Sequence, residues 1–171
     1  MKITKPIFLG LAVIFLSCGE DDDPLPTSQG MLGAWAMTAV DYTGTSTTTA
    51  LGNSIKATYT GTGKDMNLTT TFVENPNTVT SEGSYIIVLK TIMQGQTSTA
   101  EYPFDGVVTD GTWTLAGNTL TVTDANGPQK ATILSQTSTT FKMRMDVKEN
   151  ESSLGITVSA DVHITYTFTK K

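Results

Sequence analysis

Between Ile156 and Thr169 the chain alternates without a break. Ile156, Val158, Ala160, Val162, Ile164, Tyr166 and Phe168 hold the even positions, and Thr157, Ser159, Asp161, His163, Thr165, Thr167 and Thr169 the odd ones. Successive side chains of a strand point to opposite faces, so this run makes a long strand with one apolar and one wet face. A helix, with its 3.6-residue period, cannot gather the same seven apolar residues on one side. The preceding segment repeats the pattern, with Phe141, Met143, Met145 and Val147 set against Lys142, Arg144, Asp146 and Lys148. Asn150-Glu151-Ser152-Ser153 reads as the hairpin loop that joins the two. Such a pair cannot bury its apolar face alone. It needs a sheet that closes on itself or a second sheet packed against it.

The rest of the chain fits that requirement. Of 171 residues, 33 are threonine and 16 % are charged, against about 25 % charged in an average soluble domain. Threonine is β-branched, stiff at χ1 and suited to a pleated surface. The 38 % hydrophobic residues can build a core, which excludes a disordered chain. Strands are expected over residues 34–42, 54–61, 66–73, 80–93 and 130–135. Trp113-x-Leu115 and Leu120-x-Val122 flank a tight turn at Ala116-Gly117-Asn118. Residues 98–104 make a weak strand, because Pro103 confines it to an edge or an end. The polar run 43–53 reads as a flexible loop. These expectations amount to eight strong strands and one or two weak ones, an all-β fold. An up-and-down antiparallel barrel and a two-sheet sandwich both satisfy them. Long strands joined by sequential hairpins favour the barrel, which also removes exposed edges.

The N-terminus has a different character. Lys2 and Lys5 precede an apolar run of ten residues, Ile7 to Leu16, whereas a membrane-spanning helix takes about 20. The run reads as a signal-peptide core, and a buried N-terminal helix fits the Lys-flanked start less well. Phe15-Leu16-Ser17-Cys18 closes it around the only cysteine and resembles the lipobox of bacterial lipoproteins. The resemblance implies cleavage before Cys18 and attachment of acyl chains such as palmitate there, with a buried free thiol as the alternative. More than one acyl chain anchors stably. Gly19-Glu20-Asp21-Asp22-Asp23-Pro24 resembles the acidic export signal of surface-exposed lipoproteins in Bacteroidota. Physically it is also a self-repelling tether, stiffened by Pro24 and Pro26. The expected organisation is a signal peptide at 1–17, the lipidated cysteine and tether at 18–29, and a barrel domain at 30–171. The expected location is the outer membrane of a Gram-negative bacterium, lipid-anchored and surface-exposed.

Charge argues the same way. The formal net charge is −5, with 11 basic and 16 acidic residues. Loss of 1–17 removes Lys2 and Lys5 and leaves 9 against 16, or −7. The tether holds four of those acids, so 30–171 carries 9 against 12, or −3. No basic patch invites nucleic acid as a partner.

Met31-Leu32-Gly33-Ala34-Trp35 resembles the Gly-x-Trp entry of lipocalins and related barrels. The hairpin from Gly111 to Val122 is similar to one that recurs in lipocalin-like domains of Bacteroidota lipoproteins. The resemblance implies a short helical turn, then Trp35 plugging a closed end under a basic residue of the last strand. Here only Lys170 and Lys171 are available for that place.

Catalysis needs a polarised acid, base or nucleophile near a pocket. His163 is the only histidine, and its parity puts it on the wet face beside Asp161 and Thr165. One cysteine and one histidine exclude a disulfide framework, Cys-rich zinc sites and His clusters. No pair of carboxylates is placed on an apolar face. Asp124-x-Asn126-Gly127 could suggest calcium but lacks the further ligands of an EF-hand, so it reads as a turn. No catalytic residue, metal or cofactor is therefore expected. The inward positions are rich in aromatics and methionine, and methionine adapts to irregular shapes. Trp35, Met37, Tyr59, Phe72, Phe141, Met143, Met145 and Tyr166 are the candidate ligand-binding residues. A small barrel is wide enough for side chains or for one small ligand, so two readings stand: a binding protein for a small lipophilic molecule, or a filled barrel acting as an interaction module. For the second, Tyr85-Ile86-Ile87-Val88-Leu89 is apolar on both faces. It is either an exposed patch for a protein partner or a strand whose outer face is covered.

Overall fold

The computed structural model describes residues 25–107 and 110–171. The expected signal peptide, Cys18 and the acidic run 19–23 lie outside the described residues. A single turn of helix, α1 (Ser28–Met31), leads into nine strands. These are β1 (Gly33–Ala50), β2 (Asn53–Val73), β3 (Thr78–Met93), β4 (Gln96–Asp105), β5 (Gly111–Ala116), β6 (Thr119–Asp124), β7 (Gly127–Gln136), β8 (Thr140–Ser153) and β9 (Ile156–Lys170). Every pairing is antiparallel. The order β2-β1-β9-β8-β7-β6-β5-β3-β4, with β2 also paired to β3, closes the sheet into a ring. The fold is an up-and-down antiparallel barrel.

One edge of β3 serves two strands. Thr78 and Val79 pair with Thr112 and Gly111 of β5. Higher up, Ser84 to Met93 pair with Asp105 to Gln96 of β4. The ring is therefore closed by β5 at one end only, and β4 stands on the rim with one neighbour. The walls also differ in height, since β5 and β6 have 6 residues each while β1 has 18 and β2 has 21. Above the closed end, the strands β8-β9-β1-β2-β3-β4 continue as a curved open wall.

Irregularities bend the long strands. The β2–β3 register shifts between Lys64 and Asn67, and a bulge there increases local twist. Gly83 lies across from it at φ +96, where a Cβ would meet the Asn67 carbonyl oxygen at 1.8 Å. Only glycine allows that approach.

The expected loop at 43–53 is instead the upper part of the first hairpin. Thr43 to Ala50 pair with both β2 and β9, and only Leu51 and Gly52 turn. Threonine suits the pleat, and strands on both sides satisfy its backbone. The expected strands 54–61 and 66–73 are likewise one bulged strand, β2. The loop expected at Asn150-Glu151-Ser152-Ser153 also pairs, and the chain reverses at Leu154-Gly155. Hairpin register decides these points, and polarity alone does not reveal it.

The closed end is filled. Trp35 is 0 % exposed, and its Nε1–H donates to the Met31 carbonyl at 2.8 Å, tying α1 over the base. Phe141 packs edge-on to Trp35 at 4.8 Å and stacks on Phe168 at 4.6 Å. Phe72 and Trp113 meet edge-to-face at 5.6 Å, and Trp113 Nε1–H donates to the Val73 carbonyl. Offset and edge-on arrangements suit the ring quadrupoles. Lys170 pairs in register with Trp35 and sets its Nζ 5.1 Å from the ring centroid.

Candidate functional site

Above the aromatic core the interior opens into a cavity of about 660 Å³, within the range of small-molecule sites. Tyr85 and Tyr166 line its deep part, and Phe104 of β4 walls its side. Tyr85 stacks on Phe104 at 5.4 Å and meets Tyr166 edge-on at 6.4 Å. Burial pushes both phenols up from their ordinary values, so they stay neutral at any physiological pH. The middle of the cavity is aliphatic, with Ile87, Met145, Val147, Val162 and Ile164. Alternation along β3, β8 and β9 delivers these side chains inward. A side compartment of about 220 Å³ continues along β3 and β4 past Leu89 and Tyr102, sharing Tyr42, Ile87 and Phe104 with the main space.

Towards the mouth the lining turns polar. The Ser46 and Tyr59 hydroxyls hydrogen-bond at 2.7 Å. Thr48 and Glu149 also line this part. Burial, then the neighbouring Tyr59 phenol and Glu149 carboxylate, raise the Tyr42 phenol above its ordinary value.

Of the eight candidate ligand residues, Tyr59, Met145 and Tyr166 come together at this cavity. Trp35, Met37, Phe72, Phe141 and Met143 are buried in the filled end and do not line it. All eight share the inward parity of the alternation. Height along the barrel separates them, and a period of two carries no information on height. Tyr42, Phe104 and Glu149 are lining residues that the sequence reading did not single out. The signal for Glu149 was present, since it continues the odd-numbered inward set of β8 beyond Val147.

The other features fall outside the cavity. His163 Nδ1–H donates to Asp146 on the outer face, and Nε2 lies 3.6 Å from Asp161. That hydrogen bond, then the Arg144 charge, hold the Asp146 carboxyl below its ordinary value. Asn126 N–H donates to Asp124 Oδ1 at 2.7 Å, closing the turn before Gly127 at φ 113. Among the described residues no group of three or more His, Cys, Asp or Glu could hold a metal ion. Tyr85 and Ile87 point into the barrel, while Ile86 and Val88 are half-buried on the outside. Lys64 of β2 reaches across β3 to Glu101 of β4 at 2.9 Å. Long lysine stems cover apolar surface while the ammonium stays wet.

No family model, no curated protein and no solved structure matches the chain.

Proposed function

We propose that the chain is a lipid-anchored, surface-exposed outer-membrane lipoprotein of a Gram-negative bacterium. Its lipocalin-like barrel binds a small apolar or amphipathic molecule without catalysis. One observation carries this reading: a barrel filled at one end keeps an open-mouthed, aromatic and aliphatic cavity at the other. A chain needing only stability gains from filling such space with side chains. The turn α1, the buried Trp35 and Lys170 over it support the lipocalin-like character. Cys18 and the acidic run support the anchor and its location.

Native mass spectrometry of the lipoprotein, with solvent extraction of the same sample, tests the binding reading. The expected result is a bound small molecule that the Val162→Trp variant, with its cavity blocked, does not carry. Protein free of ligand, with no uptake from a total lipid extract, would overturn it. The Cys18→Ala variant is expected to leave the detergent phase on phase separation, and retention there would refute lipidation. A second reading, a protein partner docking on the outward Ile86 and Val88, rests on their half-exposed position. It requires Val88→Asp to abolish partner recovery.

A further inference from the structure

The carboxylate and alcohol groups of the cavity gather towards its mouth. Ser46 pairs in register with Ala160, and Ala160 with Glu149. All three therefore lie side by side on the inner face, with the small Ala160 in the middle. Strands are about 4.8 Å apart, so Ser46 and Glu149 face each other over a gap of two strand spacings, about 10 Å between backbones. Tyr59 lies one row deeper, opposite Gly44, and its hydroxyl reaches up to Ser46. Below this row the lining is aliphatic and aromatic, with the phenols of Tyr42, Tyr85 and Tyr166, and above it Glu151 continues the inward parity of β8 opposite Val158.

The charges on this face have one sign. Among the described residues Glu149 is the only charged one lining the cavity, and no salt bridge among them engages Glu149 or Glu151. The nearby cations are turned outward. Lys148 pairs with Asp161 and Arg144 with Asp146 on the outer face, and Lys64 pairs with Glu101. Lys170 is spent at the closed end over Trp35. A carboxylate entering this mouth would lose water, meet Glu149 and find no Lys or Arg among the described lining residues. A cation finds a carboxylate and hydroxyl oxygens at the height where the apolar lining ends.

We infer that the cavity takes an amphiphile with a cationic head, its apolar tail laid down to Tyr85 and Tyr166 and its head over Ala160 between Ser46 and Glu149. This rests on the binding reading above and names its ligand class. Neutral heads are tolerated, and fatty acids are the disfavoured class.

The test uses the lipidated chain in phosphatidylcholine nanodiscs, with methionine methyl groups observed by NMR. Met145 lines the cavity, while Met31, Met37 and Met143 are buried in the core and report on folding. Dodecyltrimethylammonium, dodecanol and dodecanoate are titrated separately, with empty nanodiscs correcting for partition. All three are expected to move the Met145 signal, the ammonium binding up to about fivefold more tightly than the carboxylate, as suits an exposed ion pair. The Glu149→Lys/Glu151→Lys variant is expected to reverse that order, leaving dodecanol and the core methionines unchanged. A wild type that binds dodecanoate as tightly as the ammonium, or an order unmoved by the double variant, would overturn the ligand class while the binding reading survives. A Met145 signal that none of the three moves would overturn both.

Discussion

Phe141 and Phe104 show how much a residue's place matters at fixed chemistry. Phe141 is 1 % exposed and touches Trp35, Phe72 and Phe168. Phe104 is 42 % exposed and stacks on Tyr85 at the cavity wall. Truncating a buried phenylalanine removes its transfer free energy and leaves a void. Phe141→Ala is expected to cost about 3–5 kcal/mol. Phe104→Ala is expected to cost about 1 kcal/mol or less, since its site already opens to solvent. Urea denaturation of the two variants checks both figures. Equal losses would mean that the open end packs as tightly as the closed one.

At the scale of elements, three long hairpins turn on the same device. Leu51-Gly52, Gln94-Gly95 and Leu154-Gly155 all have positive φ at both positions. This matches the right-handed twist of the flanking strands, and Asn-Gly is its favoured sequence. Leucine pays a steric penalty there that asparagine largely avoids. Leu51 is 96 % and Leu154 100 % exposed, so neither side chain is compensated by packing. Leu51→Asn and Leu154→Asn are each expected to raise stability by about 0.5–1 kcal/mol. The readout is a higher urea midpoint at unchanged slope. A fall in the midpoint would mean that the leucines make contacts within the fold.

For the molecule as a whole, the two ends do different work. The closed end holds the filled core and the ring closure, so its opening should approach global unfolding. The open wall is a single curved sheet lined by a cavity, and β4 is exposed along its whole length with one neighbour. Hydrogen exchange is expected to be slowest for amides paired around Trp35, Phe141 and Phe168. It is expected to be fastest, among strand amides, for β4 and the tips of β8 and β9. An occupied cavity would slow exchange in the upper wall before the base. Uniform protection along β9 would show that the barrel opens as one unit, with no difference between base and upper wall.

The alternation in β8 and β9, the threonine content and the glycine turns determined an all-β chain of antiparallel hairpins and assigned each residue a face. Those properties are local, because a strand's two faces follow from its own backbone. The sequence also marked Gly33-x-Trp35 as the entry to the first strand. It did not reveal that 43–53 would pair, because a threonine run reads the same in a strand and in a polar loop until neighbouring strands flank it. Nor did it reveal which inward residues would pack and which would surround space. Trp35 and Tyr166 carry the same parity, yet one lies in the base and the other at the cavity. Register, the bulge opposite Gly83 and the replacement of β5 by β4 along one edge of β3 set those heights. They are relations between strands distant in sequence, so only the closed sheet could decide them.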